Sequence, residues 1–103
     1  MGNRVLDEVL VILNTTRITV KPEKGIELGQ TVSRLLSSAK DMTGCRSFRF
    51  YQDVLEQDTV LLVSEWDKES DLNNFLRSNT FAILSGAIKV LSSSSVDSKA
   101  FLI

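Results

Sequence analysis

Between residues 9 and 20 the chain is dominated by β-branched side chains. Val9, Val11, Ile12, Thr15, Thr16, Ile18, Thr19 and Val20 are stiff at χ1 and pack well on a pleated surface, which predicts one long strand. Lys21-Pro22-Glu23-Lys24-Gly25 ends it in a turn. The period then changes. Leu28, Val32, Leu35, Ala39 and Met42 recur every three or four residues, and Leu36 widens the stripe, the pattern of a helix with one buried face. Gly44 is its stop signal.

Strict alternation follows. From Arg46 to Gln52, Phe48 and Phe50 point one way while Ser47, Arg49 and Tyr51 point the other. Thr59 to Trp66 is a second such strand, and the polar stretch Asp53–Asp58 is the hairpin loop between them. Asp67 is an expected N-cap for the next helix, with Glu69 in its first turn and Leu72, Phe75 and Leu76 as its apolar face. A break at Arg77-Ser78-Asn79 leads into Phe81, Leu84, Ile88 and Leu91, again at helical spacing. The serine run Ser92–Ser95 is expected to be a loop, and Ala100–Ile103 a closing strand.

The resulting order, β-α-β-β-α-β, is the α+β ferredoxin-like arrangement. Helices on one side of such a sheet leave the other side to water, yet the third strand is apolar on both. Val60, Leu62 and Trp66 lie on one face, Leu61 and Val63 on the other; Val9, Val11 and Leu13 likewise oppose Leu10 and Ile12 on the first strand. The simplest cover for the second face is another copy of the same sheet, which predicts a homodimer through the β-sheet.

Composition narrows the chemistry. A chain of 103 residues with 43% hydrophobic and 24% charged residues reads as one domain over 1–103, its first eight residues polar and expected to fray. Twelve basic against thirteen acidic residues, net −1, give no electrostatic footprint for nucleic acid or an anionic membrane. There is no histidine, so imidazole bases and histidine metal sites are excluded. The single cysteine, Cys45, forms no intrachain disulfide. With no apolar run of membrane-spanning length and acidic residues before Val9–Leu13, a cytoplasmic location is expected.

The order of several short motifs resembles a known family. Val20-Lys21-Pro22 closes the first strand, Gly44-Cys45 opens the second, Glu65-Trp66 closes the third, and Ser78-Asn79-Thr80-Phe81 lies between two helical pieces. This is similar to the antibiotic biosynthesis monooxygenase domain. The resemblance implies a dimeric α+β barrel with a pocket between sheet and helices. It also implies oxygen chemistry on quinols or other small aromatic substrates with no metal or flavin cofactor. Other members of the family degrade haem, and at least one isomerises a small metabolite. Trp66 matches a pocket-lining tryptophan. Aligning Arg17-Ile18-Thr19 with the haem-degrading branch puts Thr16 at its pocket asparagine and Asn14 two residues earlier on the same strand face. Thr80 stands where a histidine is usual, and Ser85 where that branch has its axial histidine, so haem degradation is not expected.

The candidates are therefore Asn14 and Trp66 as catalytic residues, with Thr16, Phe75, Thr80 and Phe81 lining a pocket for a small hydrophobic or aromatic ligand. Each also has a structural reading. Trp66 would pack sheet against helix, Asn14 would sit at a strand bend, and the phenylalanines would be core. Arg17 and Arg49 would bind an acidic group or pair with carboxylates, and Cys45 would be an inert thiol. With no histidine, a proton must pass to water, a carboxylate or the solvent. Two alternatives to the monooxygenase stand beside it: a dimeric binding protein without catalysis, and an isomerase or lyase of a small metabolite.

Overall fold

The structure, a computed structural model, describes residues 11–102. Its elements are β1 (Val11–Val20), α1 (Gly25–Lys40), β2 (Cys45–Gln52), β3 (Thr59–Trp66), α2 (Glu69–Leu76), α3 (Asn79–Leu91) and β4 (Ser92–Leu102). The strands form one antiparallel sheet in the order β2-β3-β1-β4. This is the ferredoxin-like α+β fold. The expected frayed start, Val9, Leu10 and Ile103 lie outside the described residues.

Alternation along the strands decides what each face does. Ile12, Thr16, Ile18 and Val20 of β1, with Val60, Leu62, Ser64 and Trp66 of β3, are buried beneath the helices. Leu28, Val32 and Ala39 of α1, Leu72 and Phe75 of α2, and Leu84, Ile88 and Leu91 of α3 complete that core. The opposite face carries Leu13, Thr15, Leu61 and Val63, all half-buried, among Ser47, Arg49 and Arg17. It is apolar in the middle and polar around.

The helix α1 ends at Lys40 with Asp41 as its C-cap rather than at Gly44 as expected, and Gly44 instead turns the chain into β2, where it is glycine for two physical reasons. Its φ is +80°, and a Cβ there would lie 2.0 Å from the Asp71 carboxylate, so only glycine allows this approach. Two further expectations are corrected. Asp67 does not cap α2: Lys68 occupies the N-cap position with no side-chain hydrogen bond, because the Asp67 carboxylate is engaged by the Arg46 guanidinium. The serine run is not a loop either. Ser92–Ser95 begin an eleven-residue edge strand that pairs along the length of β1. The β1 backbone offers a continuous ladder, and serines are tolerated on a strand that is exposed on both faces.

Candidate active site

The site grows out of the register of three strands. Even-numbered β1 residues face the helices, so Asn14 and Thr16 sit two positions apart on that side, between Ile12 and Ile18. Across the β1–β3 pairing Asn14 lies opposite Ser64, and across the β1–β4 pairing it lies opposite Lys99; Thr16 lies opposite Asp97. The Thr16 hydroxyl donates to Asp97 Oδ1 at 2.7 Å. Lys99 Nζ donates to Glu69 Oε1 in the first turn of α2 at 2.9 Å, and lies 5.8 Å from the Phe101 ring centroid. The result is a polar shelf on an otherwise apolar sheet face: Asn14, Thr16, Ser64, Asp97, Lys99 and Glu69. Thr16 and Ser64 are buried, Asn14 is half-buried, and the β4 side chains are open to solvent.

Trp66 and Phe75 border this shelf but belong to a closed aromatic cluster. The Trp66 ring, with no exposed surface, stacks on Phe75 at 5.1 Å between centroids. Phe48 and Phe81 meet Phe75 edge-on at 5.4 and 5.5 Å. The indole N–H donates to Ser64 Oγ at 2.9 Å, so a buried donor is satisfied internally. Phe81 is half-buried, as is Thr80 in the first turn of α3. The structure thus brings Asn14, Thr16 and, through Ser64, Trp66 to one region, with Phe75 and Phe81 behind it.

A larger cavity lies elsewhere among the described residues, at the Val20 end of the sheet. It measures about 620 Å³ and is walled by Val20, Pro22, Ile26, Phe50, Gln57 and Val60; none of the six candidate residues lines it. Among the described residues no group of three His, Cys, Asp or Glu side chains is arranged to hold a metal ion. No helix among them is long and apolar enough to cross a membrane.

With this geometry in hand, comparison with known proteins is decisive at the family level. The sequence profile described as antibiotic biosynthesis monooxygenase matches residues 11–83. The chain belongs to the antibiotic biosynthesis monooxygenase family. Among solved structures, a conserved protein of Methanosarcina mazei superposes with a TM-score of 0.86 at 21% identity, covering 93% of this chain and 96% of the other. A Deinococcus radiodurans protein provisionally assigned as an antibiotic biosynthesis monooxygenase gives 0.80 at 14%, covering 86% and 89%. A Bordetella bronchiseptica protein with the same provisional assignment gives 0.77 at 14%, covering 87% and 94%. At these identities the likeness is one of fold. No curated protein matches the chain.

For this member of the antibiotic biosynthesis monooxygenase family, sequence reasoning missed the β4 side of the shelf. Asp97, Lys99 and Ser64 carry no motif, and the register that sets Asp97 against Thr16 is invisible once the serine run is read as a loop. Arg17 pairs with Glu56 at 3.3 Å, as its structural reading held. Burial pushes the Cys45 thiol above its ordinary value, against the pull of the nearby Lys40 ammonium.

Proposed function

We propose that the protein is a cofactor-independent monooxygenase of a quinol-like or other small aromatic substrate, held over the Asn14–Thr16–Asp97 shelf. The observation that carries this reading is the Thr16–Asp97 hydrogen bond beside Asn14. It supports an oriented carboxylate one same-face cross-strand pair along from the Asn14 amide, on a face whose buried residues are mostly apolar. In this chemistry the substrate's own electrons reduce oxygen. The chain's part is to accept a proton and hold the anion. The phenolic O–H bond breaks, its proton passes to the Asp97 carboxylate, and the electron pair stays on the substrate oxygen. Thr16 fixes the orientation of that carboxylate. The Asn14 amide N–H donates to the developing oxyanion. Trp66, Phe75 and Phe81 give the aromatic backing, and Thr80 lines the α3 side. The working unit in this proposal is a homodimer through the uncovered sheet face.

The test is oxygen uptake with simple hydroquinones and naphthohydroquinones. Asn14→Ala should lower kcat by roughly a hundred- to a thousand-fold, as for loss of one donor to a developing charge. Thr16→Val, which keeps the shape but frees the carboxylate, should lower the rate with little change in KM. Asp97→Asn should lower kcat, because no carboxylate remains to take the proton. Rates unchanged in all three variants would remove the site from the shelf. One observation favours a second reading, a binding protein without turnover: the Trp66 N–H is already spent on Ser64, leaving that ring as an apolar wall only. Saturable quenching of Trp66 fluorescence by a quinol, with no oxygen consumed, would select it.

A further inference from the structure

A second, smaller cavity lies on the outer edge of the sheet, apart from the shelf. It measures about 260 Å³ and is lined by Lys40, Cys45, Arg46, Ser47, Phe48 and Arg49. Three of these six residues are cationic and none is acidic. Lys40 reaches it from the last turn of α1, while the others come from β2, where the register shifts between Cys45 and Ser47. That shift adds Arg46 as an extra residue at the rim and re-aims its side chain, as a bulge does. The Arg46 guanidinium is held by Asp67. Among the described residues Lys40 and Arg49 have no carboxylate in ion-pair contact, although the other ion pairs engage Arg17, Lys24 and Lys99. Holding Lys40 and Arg49 at one concavity without a counter-charge is unfavourable.

We propose that this cavity is a binding site for a small oxyanion, the phosphoryl group of a small metabolite. Its size suits one such group better than a nucleotide, whose sites begin at several hundred Å³. The Arg49 fork matches two phosphoryl oxygens, the Lys40 ammonium supplies a point charge, and the Ser47 hydroxyl supplies a neutral donor. The thiol of Cys45 stays protonated because burial raises its pKa, so it adds no negative charge to the lining. The site uses none of the residues assigned to the monooxygenase reaction; Ser47 and Arg49 lie beside the apolar centre of the sheet face assigned to the dimer, so binding is measured on the protein in the oligomeric state that sedimentation gives.

Cys45 is the only cysteine of the chain and lies in the wall of the cavity, which makes its modification rate a reporter. The full-length protein is treated with an aromatic disulfide reagent at pH 8, with orthophosphate or with sodium acetate at matched ionic strength. Orthophosphate should slow modification in a saturable way at millimolar concentration, and acetate should not. Arg49→Gln and Lys40→Gln, both at exposed positions, should each raise the half-protecting concentration roughly tenfold, the loss of about one charge-assisted contact. Arg17→Gln, the same charge change on the far side of the hairpin, should leave it unchanged. Isothermal calorimetry with orthophosphate on the same four proteins checks the constants without the thiol reagent. Equal protection by acetate, an equal loss in Arg17→Gln, or no saturation at all would overturn the proposal.

Discussion

Trp66 shows how one residue is decided by its neighbours. As a sequence feature it is a tryptophan at the end of a strand, equally suited to stacking on a substrate or to packing. In the fold its ring is sealed between Phe75 and the sheet, and its N–H is used by Ser64. Trp66→Ala should therefore act first on stability. Removing a fully buried aromatic ring costs about 3–5 kcal/mol in comparable cores, and Ser64 would lose its partner. Denaturant midpoints should fall accordingly, while Trp66→Phe should recover most of the loss. A midpoint unchanged in Trp66→Ala would mean that the ring is not in the core. Any activity lost in the alanine variant is interpretable only beside the phenylalanine one. Asn14 is the contrasting case: half-buried and on a strand centre, it can change without opening the core, and so it is the cleaner probe of chemistry.

At the scale of elements, the Asp53 carboxylate organises the start of the β2–β3 hairpin loop. Asp53 Oδ1 accepts from the backbone N–H groups of Leu55 at 2.7 Å and Glu56 at 3.0 Å, a local turn typical of aspartate. Those two donors, Glu56 foremost, hold the Asp53 carboxyl below its usual value. A depressed folded pKa means that the contribution is present above the unfolded value, about 3.9, and is lost as pH falls through the folded one. The Leu55 and Glu56 amide shifts should therefore titrate together below that value in an NMR pH series. In Asp53→Asn, which can still accept the hydrogen bonds but not ionise, that inflection should vanish. Its persistence would assign the titration to another group. The α2–α3 break is set just as locally: Ser78 Oγ accepts from the Phe81 N–H and donates to the Phe75 carbonyl, so one hydroxyl ends one helix and starts the next.

At the scale of the molecule, the sheet has a covered face and an uncovered one. Val60 and Leu62 are committed to the helix-side core, whereas Leu61 and Val63 point away from it. The proposed dimer must therefore use Leu61, Val63 and Leu13. Val63→Lys should convert a dimer into a folded monomer, because it would bury an unpaired ammonium at the interface. Leu62→Lys, one position away, should instead unfold the chain. Sedimentation velocity at micromolar concentration, with circular dichroism on both variants, reads the two outcomes apart. A wild-type monomer at that concentration would sink the dimer and leave the apolar centre of this face without a partner.

Much of this was legible in the chain. Period-two and helical patterns are local, so the strands, the helices, the hairpin loop and the family motifs could be read with their order, and the order fixes the ferredoxin-like topology. The β-branched run made β1 a strand wherever it was placed. What the pattern could not supply was anything that depends on partners distant in sequence. Ser92–Ser95 carry no strand propensity of their own; they are extended because β1 offers an unpaired ladder some seventy residues away. Asp67 is a good cap in isolation but is taken by Arg46 from another strand. Asp97 joins Thr16, and Lys40 joins Arg49, only when the register and the helix-to-strand connection bring them together. Hydrogen bonds and charges act over a few ångströms, and those separations exist only after the chain has folded.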